Sequence, residues 1–557
     1  MTKTEIRKRT RARESSNAIE RLYITMRHLL NRGFYKPFGV SGNTLKQGLL
    51  TLRPEIYGDI ASDKTELNGL KYVMDRLPKG IEECRVIYMT DDEGYKLSQF
   101  KPIIPPKRRR NCYRIDQDQM NVELTRGRSD VYDILTHLTF LFIESHKIRQ
   151  KAVINTQGTL GREWKALETV VLKNKKLDKV QTETIIAYLS TLLGRTFAET
   201  KQAYDDFAEK DKPNRFFHLI YWLGKLAIDE AYLGKKREVK FSPGLRESLG
   251  HHIYGEIWAT EIKKVLQKNN LLQRPLHIIS ANMHSVMNVL FAPSLFDADT
   301  DEMEIFKALS MKKNEKMRKL VEKTAQQNGM LYLKDHSGAN IDVQIFDLAK
   351  INKKYLPLSI AKQKAKPVLI VMDYAFGEQA FEVMDELLKP YEKAEQKIHL
   401  NVQSISIMGK AGILVGGKGD IMIPKVHMFE GTADNYPFDN QFSKKDFDDV
   451  SIPVYEGTMV TVLGTSLQNK EILSFFKNST WQAIGLEMEG AHYQKAIQSA
   501  SKIRGNIKPD VKVRYAYYAS DNPLETGSTL ASGPLGLKGV EPTYIITRKI
   551  LDQIFKQ

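Results

Sequence analysis

Four short segments of this chain end in residues suited to proton transfer or to gripping hydroxyls. "GLEMEGA" (485–491) sets Glu487 and Glu489 on either side of Met488, and "YYASDNPL" (517–524) carries Ser520 and Asp521. "MGKAGILVGGKGD" (408–420) clusters Gly409, Lys410 and Gly412, and "MDYAFGE" (372–378) closes on Glu378. Carboxylates are seldom buried without a partner, so acids at a strand–helix join imply a ligand or a structural mate. Such groups can protonate a leaving group, accept both hydrogens of a cis-diol, or hold a water. Backbone amides beside Gly409, Lys410 and Gly412 could cradle an anion. Each segment also has a plainer use. Glycines make tight turns, Asp521 before Asn-Pro suits a turn, and Glu378 suits the first turn of a helix.

The elements around these residues are strands alternating with helices. β-like runs cover 367–374, 402–409, 419–429, 458–464 and 512–520, with helical patterns over 377–394 and after Glu489. That alternation predicts an α/β domain over 361–557, a mixed sheet with helices on both faces. Ligands in such sheets bind beyond the carboxyl ends of the strands, where all four segments fall. Residues 1–270 read differently: apolar residues recur at helical spacing over 18–31, 130–148 and 215–232, predicting a mainly helical domain. Residues 271–360 read as a small α/β segment or linker, with a strand at Leu276–Ser280, a helix over 317–329 and two strands within 330–348. The lysine-rich stretch 350–367 marks the expected boundary.

Taken in order, a strand followed by an acid, G-x-x-G before "GDIMIP", "EME" at a strand–helix join and "SD" ending a later strand form a pattern. It resembles the nucleoside phosphorylase and nucleosidase superfamily over about residues 365–555. "ASDNPL" (519–524) looks most like AMP nucleosidase. The resemblance implies cleavage of a purine N-glycosidic bond. Asp521 would protonate the purine N7, Glu489 would accept the ribose 2′- and 3′-hydroxyls, and Met488 would pack beneath the sugar. Ser520 stands beside the acid, and Glu487 is a supporting partner. Glu378 would hold the attacking water; Gly409, Lys410 and Gly412 would instead take a phosphate, as co-substrate or as the substrate's own. Hydrolysis of an AMP-like nucleotide or nucleoside, phosphorolysis, and nucleotide sensing without turnover all remain open at this stage. The resemblance implies no cofactor, and relatives usually build sites at subunit contacts, which leaves a homo-oligomer open without fixing the oligomeric state.

Composition narrows the classes. With 42% hydrophobic and 27% charged residues in 557, the chain reads as globular rather than disordered. A net charge of +17 raises nucleic acid as a partner, yet the basic runs 6–13 and 107–110 are not interleaved with aromatics. Small anionic metabolites account for the excess equally well. There is no HExxH and no Cys/His cluster, so no metal is expected. Cys84 and Cys112 form no CxxC pair, which suits a reducing cytoplasm. The basic start lacks an apolar stretch behind it, unlike a secretory signal, and no apolar run suggests a membrane span.

Overall fold

Neighbouring residues of the strands around 278, 345 and 370 belong to opposite faces of one sheet. Ile278, Ile345 and Ile370 pack into one apolar core and Ile279, Phe346 and Val371 into a second. A sheet buried on both sides needs continuous apolar runs such as "VLIVM" (368–372), and helices to cover each face. The computed structural model describes residues 3–173, 177–297, 299–356, 366–393, 396–430, 434–525 and 535–556, with side chains from Thr10 onward apart from Lys393. The chain divides into two units. One comprises Met1–Thr125, Asp130–His251 and Ser466–Asn469, the other Arg126–Ser129, His252–Thr465 and Lys470–Gln557.

The first unit carries the expected helices, among them Lys3–Arg32 and Arg215–Tyr232. It also holds a five-stranded sheet that the helical spacing did not announce. Its strands are β1 (Phe34–Tyr35), β2 (Val86–Thr90), β3 (Cys112–Arg114), β4 (Gln119–Glu123) and β5 (Glu238–Phe241), ordered β1-β5-β2-β4-β3. Runs of two to five residues are too short to display a period of two, so "mainly helical" omits this sheet.

In the second unit, β6 (Leu276–Ser280), β7 (Met330–Leu333), β8 (Val343–Asp347) and β9 (Val368–Met372) precede a small hairpin of β10 (Tyr391–Lys393) and β11 (Gln396–Ile398). Then come β12 (Val402–Ile413), β13 (Ile421–Phe429), β14 (Asn435–Pro437), β15 (Val454–Thr461), β16 (Ala483–Glu487) and β17 (Lys512–Asp521). Apart from the hairpin they form one ten-stranded sheet, β14-β13-β15-β16-β12-β6-β9-β8-β7, with β17 pairing β12 and β13. β6 therefore lies inside the sheet, parallel to both β9 and β12. This corrects the expected division: 271–360 is no separate segment, and the second unit takes up continuously from His252 rather than 271. Part of the lysine-rich stretch, 357–365, lies outside the described residues. Among the described residues no helix is long and apolar enough to cross a membrane.

β12 is the spine of the site. It runs parallel to β17 through Ser404 to Gly412, then pairs antiparallel with β16 at Gly412 and Ile413. The crossing is tight: a Cβ on Gly485 would lie 2.6 Å from the Gly412 carbonyl oxygen and 2.5 Å from Met422 Sδ. Gly485→Ala is thus expected to lower stability by about 1–3 kcal/mol, read as a drop in the urea midpoint.

Candidate functional site

The two acids at the end of β16 do different work. Glu487 is buried, and its carboxylate accepts the backbone amides of Glu489 (2.5 Å) and Gly490, with the Thr461 hydroxyl donating to its other oxygen. The Thr461 oxygen in turn accepts the Ala491 amide at 3.0 Å. These bonds tie off the amino end of helix Gly490–Gln498. Burial pushes the Glu487 carboxyl up to about 8, with the charge of Glu489 adding and the hydrogen bonds opposing. Glu489 turns elsewhere and accepts the amides of Gly377 (2.9 Å) and Met488 (3.3 Å). Burial raises its carboxyl too, opposed by those amides and by Arg126. Gly377 is needed at this join: its φ is +56°, and a Cβ there would lie 2.4 Å from Ser129 Oγ.

Glu489 lines a cavity of about 390 Å³ at the carboxyl ends of β6, β9, β12 and β17. Gly409 and Lys410 share it, as do Ser280 and the rings of Tyr374, Tyr493, Tyr517 and Tyr518. Tyr493 and Ser280 share a hydrogen bond of 3.1 Å, and Tyr517 is held by His427 Nε2 at 3.1 Å. Burial drives the His427 imidazole down to about 3, so it is neutral. Tyrosine walls offer flat apolar faces to a ring, with polar tips at the edges. Glu489, the one carboxylate among the described residues of this lining, is a pure acceptor when ionised. The volume falls in the range of small-molecule sites.

Three of the expected site residues, Gly409, Lys410 and Glu489, thus meet in one cavity, and the others stand around it. Asp521 is fully buried at the end of β17, in register with Gly412. The Ser520 hydroxyl bonds its carboxylate and lies 3.1 Å from the Ala411 carbonyl. Gly412 also pairs with Leu486, so β12 joins the two acid-bearing strands at this residue. Met488 packs near Gly377. Asp521, Ser520, Gly412, Met488 and Glu487 are not in the lining. Nor is Glu378, whose carboxylate is ion-paired with Arg128 Nη1 at 3.2 Å and whose amide donates to Ser129 Oγ at 2.9 Å. The tyrosines were the residues missed. "YAYY" and "GAHY" read as strand and helix, and nothing in their spacing distinguishes a ring facing a cavity from one in the core. Among the described residues a metal-like grouping occurs only in the other unit, at Glu82, Glu83 and His218. Arg215 (2.5 Å from Glu82) and Arg114 (3.1 Å from Glu83) already balance those acids.

A mixed-sheet α/β unit with an acid-bearing, tyrosine-walled cavity at its strand ends is the class of protein in hand. The chain belongs to the family of unknown function DUF6909, whose model matches residues 43–208 and 302–556. No curated protein matches it. Among solved structures it is similar to the 5′-methylthioadenosine/S-adenosyl homocysteine nucleosidase of Campylobacter jejuni, at 12% identity and a TM-score of 0.31 over 51% of this chain and 100% of that one. A futalosine hydrolase mutant of Helicobacter pylori gives the same four figures. The Neisseria meningitidis 5′-methylthioadenosine/S-adenosylhomocysteine nucleosidase, in complex with methylthio-immucillin-A, gives 10% identity and a TM-score of 0.30 over 50% and 99%. Likenesses of this degree leave function to the residues of the site.

Proposed function

We propose that this chain cleaves the N-glycosidic bond of a purine nucleotide or nucleoside, AMP-like, with water as nucleophile, yielding adenine and ribose 5-phosphate or ribose. The observation that carries the reading is Glu489, a carboxylate held by the Gly377 amide and set among tyrosine rings at the strand ends. One carboxylate can accept both hydroxyls of a ribose diol, and its charge supports the oxocarbenium-like transition state beside it. The rings supply the faces for sugar and base. Asp521, backed by Ser520, is assigned the proton that the departing purine takes at N7. Glu378 is engaged by Arg128 outside the cavity, so no water-holding role is assigned to it. An oxocarbenium-like sugar is reactive enough that water must be positioned more than deprotonated.

The test is incubation of the full chain with AMP, adenosine and inosine, with and without phosphate, following free base. Base released without phosphate is the expected result. Strict dependence on phosphate would replace hydrolysis by phosphorolysis. The burial of Asp521 outside the cavity lining favours one other reading, a sensor that binds the nucleotide without turnover. Binding without base release, unchanged in Asp521→Asn, would select it.

A further inference from the structure

Residues Arg126–Ser129 belong to the second unit, although their neighbours in sequence, Thr125 and Asp130, belong to the first. They lie against the loop that carries Gly377. Ser129 Oγ accepts the Glu378 amide at 2.9 Å, and Arg128 Nη1 is 3.2 Å from the Glu378 carboxylate. A Cβ on Gly127 would lie 3.1 Å from Glu382 Oε1 and 3.2 Å from the Gln379 nitrogen, so the segment presses on the start of helix Gln379–Leu388. Arg126 sets its guanidinium 5.2 Å from the centre of the Phe376 ring and is only 7% exposed. Phe376 immediately precedes Gly377, whose amide donates to Glu489. The segment thus brings a buried cation to the loop that grips the cavity's carboxylate.

The other groups facing Glu489 do not supply positive charge as effectively. Glu487, at the end of β16, is a second acid. Tyr493 and Tyr517 stay neutral, because burial drives their hydroxyls well up and the charge of Glu489 adds to it. Lys410 shares the cavity but is exposed, so water screens it. Arg128 is engaged by Glu378. Arg126 does act on Glu489: burial raises that carboxyl, and the Gly377 and Met488 amides and the Arg126 charge oppose the rise. A guanidinium is always charged, and away from water its field is weakly screened.

We infer that Arg126 is a positioning residue for Glu489, the buried cation that keeps this carboxylate ionised at the cavity while Arg128 and Ser129 hold the Gly377 loop in place. Without that charge, a carboxyl walled by tyrosines would take up a proton and lose half its capacity to accept hydroxyls. That the ionised group serves a sugar diol rests on the glycosidase reading; the action of Arg126 on Glu489 does not.

Arg126→Gln and Arg126→Lys in the full chain test this, the second keeping the charge should the first fold poorly. The first readout needs no activity: a double-mutant cycle of Arg126→Gln with Glu489→Gln on the unfolding equilibrium, measured in urea across pH. Coupling of about tenfold in the unfolding constant is expected at high pH, where Glu489 is ionised, and it should fade as pH falls and Glu489 is protonated. The second readout is the pH profile of kcat/KM for AMP or adenosine. On its acid limb Arg126→Gln should be about tenfold slower than wild type and should recover as pH rises, whereas Arg126→Lys should keep the wild-type limb. Mere damage to the fold would lower the rate evenly at every pH. A cycle without coupling at any pH, or an acid limb that stays where wild type has it, would overturn the inference. Coupling that grows with pH, with no purine cleaved by any of the proteins, would support the action of Arg126 on Glu489 and remove the glycosidase reading instead.

Discussion

Glu489→Gln is expected to lower kcat/KM for a purine N-glycoside by about a hundred- to a thousand-fold, the scale of losing one preorganised group at a transition state. The same change should leave the unfolding midpoint close to wild type. Glutamine keeps the size of the side chain and one oxygen to accept the Gly377 amide, which the native carboxylate accepts at 2.9 Å. Its nitrogen, however, only donates, so it cannot take a second hydroxyl of a diol, and the negative charge is gone. The control is a substrate lacking the 2′-hydroxyl. In the wild type that deletion should cost most of what the mutation costs, and in the variant it should cost little, because the two changes remove one interaction. Glu487→Gln provides the contrast: its carboxylate serves the helix end and Thr461, so its main effect belongs on stability. Should Glu489→Gln cleave at the wild-type rate, the diol-binding role is wrong, whatever reaction the chain performs.

The join at 485–491 was readable from sequence because its chemistry is unusual. Two acids around a methionine, after a buried strand, demand partners, and the roles of Glu487 and Glu489 diverge as alternation along an extended chain suggests. The sheet from β9 onward was readable for a similar reason, since apolar runs bounded by glycines alternate with amphipathic helices. β6 had the right pattern, yet its place beside β12 depends on pairing across more than a hundred residues, which no local period encodes. Glu378 shows the same limit at the level of a side chain. Its partner, Arg128, lies 250 residues away, and only folding reveals that the acid is already engaged. Arg126, two residues before Arg128, is buried 5.2 Å from the Phe376 ring, another placement that no local pattern encodes. The tyrosines of "YAYY" were recognisable as strand residues; which of them face open space is decided by what the opposing helices leave unfilled.

A second expected result concerns pH. Unfolding free energy in the second unit should reflect two opposed sets of buried groups. His277 and His427 are held down to about 3 by burial, whereas an unfolded histidine titrates near 6.5. Between those values the unfolded chain binds protons that the folded chain refuses, so the histidines' contribution is complete above about 6.5 and is lost as pH falls toward 3. Glu487 and Glu382 run the other way. Burial lifts both to about 8 from an ordinary 4.5, so the folded chain keeps protons that the unfolded chain gives up. Their contribution is complete below about 4.5 and is lost as pH rises toward 8. Single variants separate the two sets. Relative to wild type, Glu487→Gln should gain stability with rising pH by about 1.4 kcal/mol per unit across 4.5 to 8, and His427→Gln should gain with falling pH at a similar slope across 3 to 6.5. Urea midpoints measured across pH read both slopes directly. Parallel wild-type and Glu487→Gln curves would mean that Glu487 is ionised in the folded chain. Its hydrogen bonds to the amides of Glu489 and Gly490 would then outweigh burial, and the helix end carrying Glu489 would be anchored by a charge instead of a neutral acid.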